Sequence, residues 1–398
     1  MFAPLRYREY RLLLSGAIVT QTGHWMQQVA QGWLMLLLTD SAFYLGLLGF
    51  ARGIPMLVLS LPAGVAIDRL NRRRLLMGMQ AGAALVAISM AVLTVTGLVQ
   101  AWHLIAAALI GGSFASVIFP TRQALVPTLV PTDELRRAVA LNSAGQNSTR
   151  IAGPSIAGVV IALVGVGGCF VLQAFGFIYA AFVTTRLKAT PSVSRDDRPG
   201  VWQSLVEGLR YIGASPALRG LLSLAAVPTL LAMPYVQLLP AFARNELGTD
   251  ATGLGVLMAA VGVGAVAGAL GVAAAGEIQR RGVLLLGAAC GLGLSLVLFS
   301  LSTNFWIALA LLPLVGVFGS IYMSINTTLL LAHVKDEYRG RVMSVYMLTW
   351  GLMPLGVLPE GALAQAIGVR PTLAIAGAVC SLFVVAVGLR SPTLRALR

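Results

Sequence analysis

The 398 residues are 58% hydrophobic and only 11% charged, with a mean hydropathy of +0.85, whereas soluble domains run nearer a quarter charged; a soluble globular protein is excluded and a membrane protein indicated. The net charge of +14 raises nucleic acid as a partner, but the basic residues fall in short clusters between apolar runs, without interleaved aromatic platforms, so no nucleic-acid role is read. Cys169, Cys290 and Cys380 sit in apolar runs without metal-ligand spacing and read as small buried hydrophobes.

The opening stretch, MFAPLRYREYR, places Arg6, Arg8 and Arg11 ahead of an apolar run well over 20 residues long that lacks a small-residue cleavage site. A retained first helix is expected rather than a signal peptide. A span needs about 20 mostly apolar residues. By that measure twelve segments follow, near 10–39, 43–68, 74–97, 101–129, 135–165, 168–187, 217–245, 251–277, 282–301, 304–333, 341–366 and 370–390. Several contain proline, among them Pro55, Pro154, Pro234 and Pro354, which membrane helices tolerate. The fold class expected is an all-α membrane protein. Its domains are a six-helix bundle over 1–187, a linker over 188–216 and a second six-helix bundle over 217–398.

Lys and Arg crowd alternate loops, leaving only Arg244 and Arg370 on the other side. The positive-inside rule then places both termini in the cytoplasm. The least apolar stretch, 187–220, reads as a connector on the membrane surface, ending in an amphipathic helix with Trp202, Leu205, Leu209 and Ile212 on one face.

The halves echo each other. DRLNRRRLLMG (68–78) aligns with EIQRRGVLLLG (277–287), matching Asp68 with Glu277 and Arg72 with Arg281. DELRRAV (133–139) aligns with DEYRGRV (336–342) at an offset of 203, which also carries Gly153 onto Gly356 and Gly158 onto Gly361. Two bundles in parallel repeat are an architecture of secondary transporters whose substrate site lies near the bilayer midplane.

GVAIDRLNRRR (64–74) resembles the loop signature of the major facilitator superfamily, G-x-x-x-D-R-x-x-R-[RK], with Gly64, Asp68, Arg69, Arg72 and Arg73 in register. GHWMQQVAQGWLMLLLTDSAFYLG, PTRQALVPTLVPTDELRRAVALNSAGQNSTRIAGPSIAG and YRGRVMSVYML are similar to the transmembrane-secretion-effector branch, which includes enterobactin-type siderophore exporters and macrolide efflux proteins. The resemblance implies a proton-coupled exporter of small amphipathic compounds, such as siderophores, macrolides or other drugs, working by alternating access. It further implies a bacterial inner-membrane location, a monomer, and the proton gradient rather than a cofactor as energy source. A facilitator or importer of a metabolite, or a lipid-handling transporter, stays open. No metal cluster, nucleophile-base pair or phosphate loop speaks for an enzyme.

The motif has a physical reading of its own. Asp68, at the end of its helix, is able to accept from the free N–H groups of the helix starting near Val342, while Arg72 needs an acidic partner. Such contacts form a latch, with Arg73 and Arg74 alternatively plain headgroup anchors. In the second copy Glu277 and Arg281 remain, but Ala273 and Ile278 replace the glycine and the first arginine, so a weaker latch is expected. Arg122 is expected to pair with Asp68 or reach the headgroups.

Ionisable residues within a span default to functional candidates. Arg52 lies 16 residues before Asp68 and Glu360 lies 18 after Val342, roughly 24 and 27 Å along their helices. A pair at similar depth is hypothesised, acting as a gate, as a proton carrier (Glu360) tuned by Arg52, or as a static bridge. His24, a hydrogen-bonded packing residue or a cavity group, joins Gln28, Asn147 and Arg150 as candidate lining; Arg150 awaits an anionic partner. Asn326 and Trp350 are further lining candidates. Gly153 and Pro154, within RIAGPSIAG, resemble a helix-bend motif of proton antiporters and equally suit close packing.

Overall fold

The computed structural model describes residues 2–188, 201–275 and 279–397. Among these, eleven helical stretches are long and apolar enough to cross a membrane, and one further helix of comparable length is interrupted by polar residues. That helix is α1 (Arg8–Thr39), which carries Gln21, His24, Gln27, Gln28 and Gln31. It is followed by α2 (Ala42–Arg69), α3 (Arg72–Val95), α4 (Ala101–Leu129), α5 (Leu135–Val164) and α6 (Val166–Thr185). The chain continues with α7 (Val201–Ala214), α8 (Pro216–Leu231), α9 (Tyr235–Ala241), α10 (Ala251–Ala274) and α11 (Arg281–Ser300). It ends with α12 (Phe305–Ala332), α13 (Arg339–Gly351), α14 (Met353–Ile367), α15 (Val369–Arg390) and α16 (Pro392–Arg395). The protein is thus an all-helical multi-pass membrane protein. Its spanning helices display large apolar side chains on their surfaces, Leu85, Phe175, Trp306 and Leu382 among them, as lipid solvent permits.

Helix ends follow local chemistry. Asn71 caps α3 by accepting from the Arg74 N–H at 3.1 Å, Asn304 caps α12 through the Trp306 N–H at 2.7 Å, and Asp250 caps α10 through the Gly253 N–H at 2.9 Å. Two segments expected as single helices are divided. Residues 217–245 break at 232–234, where Ala232 and Met233 both donate to the Pro228 carbonyl. Residues 341–366 break at Leu352, just before Pro354. In each case a proline without an N–H ends one ladder and opens the next.

Contacts divide the chain into two compact units. The first comprises 1–40, 51–197 and 250–259; the second comprises 41–50, 198–249 and 260–398. In the first, α3 pairs with α6, and α1 with α5 and α6; in the second, α11 pairs with α15 and α12. The Tyr10 hydroxyl donates to the Ala138 carbonyl at 2.8 Å, fastening α1 to α5.

The internal repeat is visible in what its glycines touch. A Cβ at Gly153 of α5 would lie 2.5 Å from Cβ of Trp25 on α1, and one at Gly356 of α14 would lie 2.0 Å from the Leu230 carbonyl oxygen on α8. Five residues further along each helix, Gly158 packs on Thr252 at the start of α10, within the first unit, and Gly361 packs on Gly46 at the start of α2, within the second. The same offset of 203 carries Gly165 onto Gly368, whose φ angles of 77° and 96° make the turns into α6 and α15. In lipid, where apolar burial between helices gives little, such backbone contact holds helices together.

The amphipathic helix is α7, and the expected face is only partly the buried one. Ile212 is buried but Leu209 is 49% exposed; the side chains of Trp202 and Leu205 lie outside the described residues. The helix docks on α13 instead of lying free. Gly208 packs against the Arg341 carbonyl, Glu207 pairs with Arg341 at 3.1 Å, and Tyr211 stacks on Tyr338 at 4.3 Å.

Gly356→Ala drives a methyl into the Leu230 carbonyl and is expected to cost about 1–3 kcal/mol. Gly287→Ala, where a Cβ meets nothing within 4 Å, is expected to be neutral or slightly stabilising. Thermal unfolding of the two purified variants checks the contrast.

Candidate functional site

Three arginines lie well inside the helices of the first unit, away from their ends, and each has found a different partner. Arg122 of α4, only 7% exposed, donates from Nη2 to the Thr20 hydroxyl of α1 at 2.8 Å. Its burial removes the headgroup alternative: the side chain reaches across to α1 instead. Arg150 of α5 lies over the Trp25 ring, 5.7 Å from its centroid, an aromatic partner where an anion was expected. Arg52 of α2 donates from Nη2 to Oε1 of Gln31 at 2.7 Å, while its buried Nη1 and the buried Nε2 of Gln31 have no acceptor among the described residues.

Thr20 and Gln31 were missed in the sequence, yet a signal was there. Thr20, His24, Gln27 and Gln31 follow one another at spacings of four, three and four, so they share one face of α1. Gln27 is engaged by Gln173 of α6. His24 meets Trp25 edge-on with ring centroids 6.1 Å apart, the ring contact of a packing residue. Gln28 is half-buried and Asn147 exposed.

In the second unit Glu360 of α14 is 7% exposed, and neither carboxyl oxygen has a hydrogen-bond partner among the described residues. Asn326 of α12 is fully buried and donates to the Leu221 carbonyl of α8 at 3.3 Å. It braces two helices and offers no surface to a substrate, a correction to its place among lining residues. Trp350 is half-buried beside the break between α13 and α14.

The signature of the first unit is a compact ionic knot. Arg72 lies 3.9 Å from Asp68 and donates to the Ala124 carbonyl at 3.2 Å, tying α3 to α4; Arg73 donates to the Thr185 carbonyl at the end of α6. Asp68 and Arg69 are exposed. A Cβ at Gly64 meets nothing within 4 Å, so packing gives no reason for that glycine. Of the second copy, Glu277 lies outside the described residues, and Arg281 begins α11. The buried prolyl residue Pro154 continues α5 without a break, its carbonyl 2.6 Å from a Cβ built on Gly255.

Known proteins resemble this chain along most of its length. A family model described as transmembrane secretion effector matches residues 1–397. The multidrug efflux pump Tap of Mycolicibacterium fortuitum is 30% identical, over 97% of this chain and 96% of its own. The staphyloferrin A transporter of Staphylococcus aureus is 26% identical over 92% of each. The macrolide efflux protein A of Streptococcus pyogenes is 22% identical over 85% of each. Among solved structures, the nucleoside transporter NupG superposes with a TM-score of 0.76 at 11% identity, covering 96% of this chain and 99% of that one. A bacterial homolog of the human lysosomal transporter Spinster, inward-facing and occupied, gives 0.75 at 15% identity, covering 97% of each.

Because the Thr20 hydroxyl accepts a hydrogen bond from a buried guanidinium, Thr20→Val is expected to destabilise the protein by about 1.5–3 kcal/mol, the range for a hydrogen bond to a charged group. Thr20→Ser, which restores the oxygen, is expected to recover most of it. Thermal unfolding in the same detergent distinguishes the two.

Proposed function

Since the chain belongs to the transmembrane secretion effector family of the major facilitator superfamily, we propose that it is a proton-driven exporter of small amphipathic compounds in a bacterial inner membrane. It acts as a monomer with both termini in the cytoplasm, where the basic loops place them. The observation that carries this reading is Glu360, an acid buried in a spanning segment with neither oxygen hydrogen-bonded among the described residues. An unpaired carboxylate there is costly, and taking up a proton removes the charge. Uptake on one side of the membrane and release on the other ties such an acid to the conformational cycle. The relatives, a staphyloferrin A transporter and efflux proteins for multiple drugs and macrolides, support small-molecule cargo, and the two efflux proteins support outward transport.

The knot of Asp68, Arg72 and Arg73 serves as the cytoplasmic latch. It closes when the substrate site faces outward and opens as the two halves rock. Gly153 and Pro154 give α5 the close packing that lets its half move as one body.

Two results are expected. In inverted vesicles, a pH gradient drives accumulation of erythromycin and 2-naphthoate by the wild type; Glu360→Gln abolishes this gradient-driven uptake but keeps exchange, and wild-type uptake by the variant removes the proton role. With a single cysteine at exposed Asn147 in a cysteine-free background, Asp68→Asn raises its labelling rate from the cytoplasmic side at least about twofold, in line with loss of an ionic contact worth up to about 1 kcal/mol. An unchanged rate removes the latch.

A further inference from the structure

We propose that Arg52 and Gln31 form a binding site for a carboxylate in the first unit, a site that receives the acidic group of the exported compound. The proposal deepens the export reading and rests on it for the identity of the cargo. Its geometry stands apart from that reading.

The site is assembled on one face of α1. Thr20, His24, Gln27 and Gln31 lie along that face over about 16 Å, and two arginines from other helices approach it. Arg122 meets Thr20 at the lower end, and Arg52 meets Gln31 at the upper. His24 and Gln27 lie between these two positions along the helix. The position of Arg52 is fixed from behind by α4, because a Cβ at Gly112 would lie 2.2 Å from the Arg52 carbonyl oxygen.

What this pair lacks is an acceptor for its remaining donors. Among the described residues Arg52 Nη1 and Gln31 Nε2 are buried N–H donors without a hydrogen-bond partner, and Gln31 is 0% exposed. Turning the Gln31 amide over would set its donors against those of Arg52, so the deficit belongs to the cluster and not to one rotamer. A guanidinium contributes donors only, and an amide nitrogen likewise. Two such groups around a positive charge match an oxyanion with several lone pairs, which binds a guanidinium through charge-assisted hydrogen bonds.

The unit supplies no anion of its own at this depth. Among its described residues the acids are Glu9, Asp40, Asp68, Asp133, Glu134 and Asp250, all at or just beyond helix ends. Nor is a lipid phosphate placed to serve. Arg52 is ten residues into α2, about 15 Å along its axis, well past a headgroup layer about 5–8 Å thick on each side of the hydrocarbon core. A transported compound carrying a carboxylate fits the charge, the donor count and the depth.

The test uses the full-length protein in an uncharged maltoside detergent and two probes that share an apolar body, 2-naphthoate and its neutral carboxamide, 2-naphthamide. Calorimetric titration is expected to show saturable naphthoate binding at least tenfold tighter than naphthamide binding. Arg52→Gln is expected to abolish that preference, and Arg52→Lys to keep part of it. Should Arg52→Gln fail to fold, Gln31→Glu decides. It places a built-in carboxylate beside Arg52, so it is expected to fold as well as the wild type while naphthoate affinity falls at least tenfold.

Equal binding of the two probes, or undiminished naphthoate binding by Gln31→Glu, overturns the proposal. Competitive displacement of naphthoate by added phosphatidylglycerol overturns the assignment to cargo, giving the site to a lipid phosphate. An Arg52-dependent preference in a protein whose vesicles show no gradient-driven uptake leaves the site standing and removes the export reading alone. Gradient-driven erythromycin uptake without that preference does the reverse.

Discussion

A charge buried where water is scarce must find a partner, and this requirement organises the interior of the protein more than any other. Four arginine and acidic side chains well inside its spanning helices meet it in four ways. Arg122 uses a neutral hydroxyl, Arg150 an aromatic face, and Arg52 an amide that satisfies it only in part. Glu360 has no hydrogen-bond partner at all among the described residues. The first two arrangements are complete within their own unit and read as structure. The last two are incomplete within theirs, and these are the groups placed to act in transport. An unsatisfied charge of this kind is stable only if something outside the unit, a proton or a ligand, completes it for part of the cycle.

Rigidity is the other half of the design. Helices in lipid gain little from apolar burial against one another, so they rely on backbone approach at small residues. Gly264 faces the Pro313 carbonyl, Gly316 the Val261 carbonyl, and Gly293 and Gly377 face each other. Packing this close leaves no room for gradual deformation, so each unit holds its charged side chains in fixed places. The repeat-related pairs, Gly153 with Gly356 and Gly158 with Gly361, perform matching contacts in both units. The ancient duplication therefore survives in packing even where the loop signature has decayed.

Much of the fold was legible because hydropathy alone marks a membrane helix. The helical segments came out within a few residues of their observed ends, and Gly165 and Gly368 end helices where the repeat places them. The interruptions at 232–234 and 352 were hidden, since prolines such as Pro55 and Pro154 pass through helices that continue, and nothing local separates the two outcomes. The candidate site was half legible. Depth along a helix singled out Arg52 and Glu360, but the partner of Arg122 is 102 residues away in sequence, beyond any local rule. Asn326 was misjudged because a polar residue on an apolar helix looks the same whether it lines a cavity or, as here, caps the Leu221 carbonyl. Thr20 and Gln31 were missed although their common face on α1 was countable from spacing.

The central claim is that Glu360 takes up and releases a proton while buried in a spanning helix. Infrared difference spectroscopy of the protein in lipid, recorded across a pH titration, observes that event directly. The account predicts a protonated-carboxyl band in the wild type that disappears on alkalinisation and is missing from Glu360→Gln. Wild-type and variant spectra that superimpose throughout the titration would contradict it.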